Sequence, residues 1–550
     1  MTQKGIYPYD YVDSFNKMND EQLPKQELFY SRLYNSNCTD EDYKQALTVW
    51  DTFNCKKFID YHNLYLASDV LLLSDVWRAF SNTCYEHYKL DTAYYYTAPG
   101  LSFDAMLKYT NIELELFTDI EMYEFCERGI RGGLSQISTR YAKANNKYME
   151  TFNKDEEETS IIYLDANNLY GHSMSQYLPV SDFIWNQESW DKERILSLGD
   201  EDEKGYLLDV DLHIPEELHD YFNCYVPCPE SVQVKKDNLN TWQQENYKES
   251  KITKLCCSFE DKNNYVVNYR YLKLCLSLGV QLLKVNKVLE YKQEPFLKSY
   301  IELNTNLRKK SKNDFEKDFF RLMNNSVFGK TMENVRNRIN FRLITTEDEA
   351  WRVKNMNRFT IFDEHLVGVH IQKQNVKLNK PVYLGTSILD DSKTLMYDFH
   401  YNFMLKKIER ENIDLLFTDT DSLCYSIRKQ DIFNIMLENK EYFDLSDYPK
   451  DHLLHDETNK KVIGKFKNES IKQITEFVGL RAKLYAYKVE GDEEKHLKCK
   501  GVKRCVVQSK LNIDLYKEVL FSRQSHEVTQ NGIRSYKHQL YTETVKKTGL

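Results

Sequence analysis

Leu415-Leu416-Phe417-Thr418-Asp419-Thr420-Asp421-Ser422-Leu423-Cys424-Tyr425 holds two carboxylates between two short apolar runs. Apolar and aromatic runs broken by a tight polar insert predict a β-hairpin, with Asp419 and Asp421 at its tip. Alone, an Asp-Thr-Asp turn is an ordinary solvated hairpin end, so its meaning depends on what else the chain brings to it. A second aspartate in similar surroundings lies far upstream, in Ser160-Ile161-Ile162-Tyr163-Leu164-Asp165-Ala166-Asn167-Asn168-Leu169-Tyr170-Gly171. There a buried strand is predicted to end on Asp165 and turn into a helix, because strand-type residues give way at once to Ala and Asn. Two strand-end aspartates that meet would suit Mg²⁺, which takes oxygen ligands and shares them with water and substrate phosphates. Two such ions can clamp the attacking and leaving oxygens of a phosphoryl transfer.

The 550 residues are enough for several domains with sizeable cores. Hydrophobic content of 41% and charged content of 29% are those of an ordinary soluble globular protein. Forty Tyr and 28 Phe are unusual, but such rings either pack cores or stack on bases and so favour neither. A net charge of −9 argues against a protein that coats nucleic acid by bulk attraction. It leaves room for an enzyme with a local basic cleft, and basic clusters do occur at Arg308-Lys309-Lys310-Ser311-Lys312, Arg336-Asn337-Arg338 and Lys498 to Arg504. Cys224, Cys228, Cys256 and Cys257 could form a zinc site, but no His stands at ligand spacing and reduced thiols are the plainer reading. Met1 to Gly5 has no apolar signal core and no run approaches 18 apolar residues, so a soluble, intracellular protein without membrane contact is expected.

Residues 1 to about 50 read as irregular, with Pro8 and Pro24 and no periodicity. A long helix follows from Cys55 to about Tyr88, on which Tyr65 and Asp69 share a face. Asp40-Glu41-Asp42 follows a turn rather than a strand. Arg128-Gly129-Ile130-Arg131-Gly132-Gly133-Leu134-Ser135 is either a tight turn or, with its arginines beside paired glycines, a place for a nucleic-acid phosphate. Tyr206–Leu212 is strand-like, residues 235 to 251 are polar, and Tyr265-Val266-Val267 and the Leu-rich 272–283 come after.

Phe296 to Lys310 is predicted helical. A second helix starts with Asn313 as N-cap and Glu316 three residues on, and is predicted to stop at Gly329. On it Phe315, Phe319 and Leu322 should pack on the scaffold. Lys317, Arg321, Asn325 and Phe328 fall on another face. That face suits a nucleotide, with cations for the triphosphate, an amide for polar groups and a ring for the base. An amphipathic helix with a polar outer face is the plain alternative.

Asp165 to Tyr170, Arg321-Leu322-Met323-Asn324-Asn325-Ser326-Val327-Phe328-Gly329-Lys330, Asp419-Thr420-Asp421-Ser422 and Lys483-Leu484-Tyr485 resemble, in order, motifs A, B, C and Lys-x-Tyr of family B DNA polymerases. The variant resembles the protein-primed branch of viruses, linear organellar plasmids and self-synthesising transposons. The resemblance spans nearly the whole chain, including Tyr65-x₃-Asp69 and Gly132-Gly133. It implies a mixed α/β right-hand polymerase with palm, fingers and thumb behind a truncated exonuclease-like region. The expected boundaries are 1–90 for that remnant, 91–160 for a linker with the Gly-Gly turn, 161–215 and 340–470 for the palm, 216–292 for an insertion, 293–339 for the fingers and 471–550 for the thumb.

It further implies template-directed DNA synthesis from deoxynucleoside triphosphates with two Mg²⁺, Mn²⁺ being the alternative ion. Asp165 and Asp419 would ligate metal and Asp421 would support them. Tyr170 would exclude a ribose 2′-hydroxyl. Arg321, Asn325, Phe328 and Lys309 would bind nucleotide. Arg131, Gly132, Gly133, Lys483, Tyr485, Lys500 and Lys503 would touch DNA, with Lys483 and Tyr485 on one face of a strand. Template, primer, nucleotides and a terminal priming protein are the implied partners. The exonuclease of that family pairs Tyr-x₃-Asp with an upstream Asp-x-Glu strand that is not found here, so Tyr65 and Asp69 are read as a remnant without proofreading. Departures are Asn168 and Gly171 where the family commonly has Ser and Pro, Ile130 and Phe328 for Tyr, and Arg321 for Lys, which keeps charge but changes geometry. The other readings are a catalytically inactive nucleic-acid-binding remnant of a mobile element and a reverse transcriptase, the latter weakened by the lack of an aromatic-x-Asp-Asp signature.

Overall fold

The computed structural model describes residues 4–239, 241–245, 247, 253–536 and 539–550, so part of the polar 235–251 stretch and the first three residues lie outside the described residues. The chain forms two units: one from the N-terminal residues through Tyr95 with Asn340–Gln372 and Cys499–Leu550, the other from Tyr96–Ile339 and Lys373–Lys498.

In the second unit a six-stranded sheet runs in the order Ser135–Ile137, Ile413–Asp419, Ser422–Arg428, Thr159–Ala166, Phe466–Asn468, Phe443–Asp444. All neighbours are antiparallel except the last pair. Both faces are covered, which explains the nearly unbroken apolar runs on either side of Asp419 and before Asp165. Ile162, Leu164, Leu415 and Leu423 face the larger core. Ile161, Phe417 and Cys424 face a smaller one, where the rings of Phe417 and Tyr485 stack 4.4 Å apart.

A four-stranded antiparallel sheet places Leu178–Asn186 and Lys204–His213 on either side of Gln281–Glu294, with Lys262–Asn268 outermost. Two strands of the expected 216–292 insertion, Lys262–Asn268 and Gln281–Glu294, belong to this sheet. The Leu-rich 272–283 segment is divided between the helix Tyr269–Ser277 and the start of the strand Gln281–Glu294. The helix Val382–Asp398 is buried along most of its length. Its Asp391 accepts from Arg270 at 2.7 Å, a buried pair in which burial still holds the Asp391 carboxyl up at about 6.

The first unit is more ordered at its start than its prolines suggest. Asp40–Thr52 is a helix whose N-cap Thr39 accepts from Asp42 N–H, so Asp40, Glu41 and Asp42 are its acidic first turn. The helix Phe58–Tyr88 follows, with Phe58 and Tyr61 in a small core and Leu66, Val70, Leu73 and Trp77 exposed. Residues 340–372, expected in the palm, form a three-stranded sheet in this unit. The expected thumb also divides: Ile474–Arg481 and Leu484–Val489 pair beside Tyr141–Lys143 in the second unit, while 499–550 joins the first. A run expected as one segment is split here by its pairing partners.

The thiols do not share one centre. Cys224 Sγ lies 3.6 Å from His400 Nε2, Cys228 Sγ lies 3.6 Å from Cys275 Sγ, and Cys257 donates to the Val226 carbonyl. Among the described residues no helix is long and apolar enough to cross a membrane.

The turn at 129–134 meets the hairpin closely. A Cβ on Gly133 would fall 2.4 Å from Thr420 Cγ2, and Thr420, at φ 67°, donates its N–H to the Leu134 carbonyl at 2.8 Å. Gly133→Ala should cost roughly 1–3 kcal/mol of stability through this overlap. Thr420→Gly on that background should restore most of it, since it removes both the colliding methyl and a side chain held in the left-handed region. Chemical denaturation of the two variants checks this, and an unaltered midpoint in Gly133→Ala would show that the contact is slack.

Candidate active site

Register gathers the acidic groups. Ser135 pairs with Asp419, Ser422 pairs with Asp165, and Asp165 pairs on its other side with Lys467. Cross-strand partners share a face, so Asp419 on one strand and Asp165 two strands away stand in one row on one side of the sheet. Asp419 ends the first hairpin strand, Thr420 and Asp421 form the turn, and Ser422 begins the second strand. The Asp421 carbonyl accepts from Ala166 N–H at 2.7 Å, locking the hairpin tip to the strand end that carries Asp165.

This proximity shows in the acidities. Burial, then the charge of Asp421 and of Glu469, pushes the Asp165 carboxyl up to about 8, against the partial relief of Lys467 and Arg321. Burial and Asp419 also raise Asp421. Asp419 Oδ1 lies 2.7 Å from Lys483 Nζ. Among the described residues no three His, Cys, Asp or Glu side chains are grouped closely enough to hold an ion by themselves.

Lys483 is not on a strand face with Tyr485. It sits at φ 60° in the turn before Leu484–Val489, while Tyr485 is 2% exposed and packed on Phe417. A tyrosine so enclosed cannot touch DNA, and burial with the neighbouring Tyr163 holds its hydroxyl far above the usual range. Arg131 is likewise corrected. It is 6% exposed, donates to the Val266 carbonyl at 2.7 Å and lies 3.6 Å over the Tyr265 ring, so its charge serves the fold and not a phosphate. A Cβ on Gly132 would meet open space, which leaves that position approachable.

Tyr170 lies one turn past Asp165. Asn168, in the left-handed conformation that Asn tolerates, caps the short helix Leu169–Met174. A Cβ on Gly171 would strike the Asn168 side chain at 2.1 Å, so the two departures from the family pattern fit each other. The Tyr170 ring stacks on Phe328 at 4.5 Å and 15°, and burial together with Asp421 pushes its hydroxyl up to about 12.

Phe328 belongs to the helix Asp314–Thr331, whose N-cap Asn313 accepts from Glu316 N–H at 2.9 Å. The helix continues through Gly329, and its packed face is rotated from the expected one. Phe319, Phe320, Met323, Asn324 and Val327 are buried, whereas Phe315 and Leu322 are about half exposed. Asn324 explains the rotation, since it pairs with buried Asn304 at 2.8 Å across to the helix Lys298–Lys310. A buried amide with a partner counts as core, which hydropathy cannot show. Arg321 stays exposed, and Asn325 Oδ1 is buried without a hydrogen-bond partner.

Arg308, Lys309, Arg321, Lys461 and Lys467 line one pocket together with Asn167, Asn168, Asp444 and Asp447. Burial and Arg321 hold Arg308 below its ordinary value. Arg308 stood in a visible basic cluster. Lys467 and Glu469 carry no motif signal, and only the pairing of Phe466–Asn468 with the Asp165 strand brings them here.

Lys317 pairs with Asp314 at 3.0 Å. Tyr65 and Asp69 belong to the first unit, where Tyr65 Oη lies 2.9 Å from Tyr9 Oη and Asp69 lies 3.7 Å from Lys4 Nζ. Lys500 and Lys503 are in that unit too. Lys500 is exposed, and Lys503 Nζ is 3.4 Å from the Leu33 carbonyl.

The fold is mixed α/β, with strand-end carboxylates and a cation-lined pocket in the same unit. Residues 1–404 match the sequence family described as DNA polymerase type B, organellar and viral, and the chain belongs to that family. A search of curated proteins finds no match. Among solved structures, Phi29 DNA polymerase complexed with primer-template DNA and incoming nucleotide substrates superposes with a TM-score of 0.53 at 15% identity, over 100% of this chain and 79% of its own. Its orthorhombic crystal form gives 0.52 at 14% identity over the same shares, and its post-translocation binary complex 0.53 at 15% over 99% and 79%. At such identities the likeness is one of fold.

The weakened acidity of Asp165 has a testable sign. A carboxyl whose folded value exceeds its unfolded value of about 4 contributes its full stability below about pH 4, and loses it progressively as pH rises to about 8. In metal-free buffer Asp165→Asn should therefore melt higher than the parent at pH 8.5, with the difference vanishing by pH 4. Equal pH profiles for the two proteins would show that Asp165 is not under this repulsion.

Proposed function

We propose that this chain is a template-directed DNA polymerase that transfers deoxynucleotides from their triphosphates to a primer 3′-hydroxyl, or to a protein hydroxyl, in DNA replication. The row that aligns Asp419 with Asp165, in the unit whose pocket is lined by Arg308, Lys309, Arg321, Lys461 and Lys467, carries this reading. Asp165, Asp419 and Asp421 offer carboxylate oxygens of the kind a hard divalent cation takes, the rest of its shell coming from water and phosphate oxygens. Asp165 and Asp419 would hold Mg²⁺, or Mn²⁺ in its place, with Asp421 supporting. When bound, two such ions supply charge stabilisation at the attacking and leaving oxygens.

The chain's own residues do the rest. Arg321, Lys309 and Arg308 face the triphosphate as fixed positive charges. Tyr170, braced by Phe328, presents a ring edge against the sugar and excludes a 2′-hydroxyl, and Asn325 offers its unpartnered oxygen to the same pocket. Lys467 is added as a cation opposite Asp165. Lys483 neutralises Asp419 and would turn to the primer when a cation takes that carboxylate. Gly132-Gly133 lets the template backbone come close, and Lys500 and Lys503 are read as duplex contacts. The six-stranded sheet serves as palm and the helices Lys298–Lys310 and Asp314–Thr331 as fingers. Tyr65 and Asp69, engaged by Tyr9 and Lys4, are given no nuclease chemistry. A terminal priming protein remains the expected partner of the protein-hydroxyl reaction.

Primer extension by the intact chain tests the assignment. Incorporation of deoxynucleotides should need Mg²⁺ or Mn²⁺, should fall at least a thousandfold in Asp419→Ala, and in Tyr170→Ala should admit ribonucleotides. No incorporation by the parent, with primer-template binding retained, would establish instead an inactive nucleic-acid-binding remnant. Extension on RNA templates alone would indicate a reverse transcriptase.

A further inference from the structure

The helix Val382–Asp398 carries a lysine whose burial the reaction chemistry does not explain. Lys393 is 4% exposed and Asp390 fully buried. The Lys393 ammonium donates to the Arg131 carbonyl at 2.8 Å, to the Leu389 carbonyl at 3.2 Å and to Asp390 Oδ1 at 3.3 Å. Asp390 Oδ2 in turn accepts from Asn268 N–H at 2.9 Å. Placing an ammonium and a carboxylate in a core is costly, and apolar groups of the same size would ordinarily be as stable or more so. What the ammonium adds over such a group is a directed bond to a carbonyl outside its own helix, that of Arg131.

That carbonyl opens the Gly132-Gly133 turn. Three residues on, the turn becomes the seat of the acidic hairpin: Leu134 O accepts from Thr420 N–H, Gly133 abuts Thr420, and Ser135 pairs with Asp419. The start of the turn is held by the same helix, for a Cβ on Gly129 would meet Thr386 Cγ2 at 2.5 Å and Thr386 donates to the Cys126 carbonyl at 2.8 Å. The Arg131 side chain is tied off on Val266 and Tyr265, so the loop is free in neither backbone nor side chain.

We propose that Lys393 is a positioning residue for the polymerase centre, holding through the Arg131 carbonyl the turn on which Asp419 and Asp421 are aligned. It touches no reacting group. The proposal rests on the polymerase reading, and its test separates the two.

Lys393→Met keeps the length and apolar stem of the side chain but removes the donor, leaving Asp390 unpaired. Asp390→Asn/Lys393→Met removes the stranded charge as well and keeps an acceptor for Asn268. In primer extension by the full chain, the single variant should lose about 10–100-fold in kcat, the cost of a slight misplacement of catalytic groups, with nucleotide KM within about threefold of the parent. The double variant should recover the parent's melting temperature yet keep the low kcat, because the Arg131 carbonyl still lacks its donor. Recovery of kcat along with stability would reduce Lys393 to a counter-charge for Asp390 and overturn the proposal, as would an unchanged kcat in the single variant.

Hydrogen exchange, read on the same samples, needs no activity. Peptides covering 129–136 and 415–425 should exchange faster in both variants than in the parent, and unchanged exchange there overturns the proposal. If the parent extends no primer while both variants still loosen these peptides, the positioning of the hairpin stands and the polymerase reading is what fails.

Discussion

Like charges that would separate in solution are held in one row by the antiparallel register of three strands. Ser422 opposite Asp165 and Ser135 opposite Asp419 leave the carboxylates no way apart short of breaking the ladder. A one-residue slip would turn an aspartate to the other face of the sheet. The register is strongly specified because both faces are buried, with Leu164 and Leu423 in one core and Phe417 and Cys424 in the other. Burial, and after it the charge of neighbouring carboxylates, makes Asp165 and Asp421 weaker acids than usual, which makes the place receptive to a cation.

The surrounding parts follow from that row. The helix Asp314–Thr331 is fixed by apolar packing and by the Asn304–Asn324 amide pair, and it delivers Arg321 and Phe328 to one end of the row. Phe328 braces Tyr170, so the ring one turn past Asp165 is set by a residue from a distant segment. Lys467 arrives beside Asp165 by strand pairing and lines the same pocket as Arg321, and Lys483 reaches Asp419 from a turn residue in the left-handed region. Each cation has a different structural origin. Their convergence on one place is the property on which phosphate recognition would depend.

Much of this was readable in the chain. Apolar runs interrupted by Asp-Thr-Asp gave the hairpin and its turn, the residue change after Asp165 gave the strand end, and Asn313 with Glu316 gave the helix start. These are local preferences of a few adjacent residues, and local preference survives into the fold when packing agrees with it. Where packing decided otherwise, the readings moved: the buried face of the 314–331 helix turned from Phe315 and Leu322 toward Asn324, and Arg131 and Tyr485, which looked like DNA contacts, became core.

The residue types at the centre and their order along the chain were thus settled by the sequence alone, because strand, turn and cap signals span only a few positions. Which of them face one another was settled only in three dimensions. Strand order, the pairing of Phe466–Asn468 beside Asp165 and the division of 340–550 between two units depend on contacts between segments far apart in the chain, and no window of neighbouring residues encodes a distance of that kind.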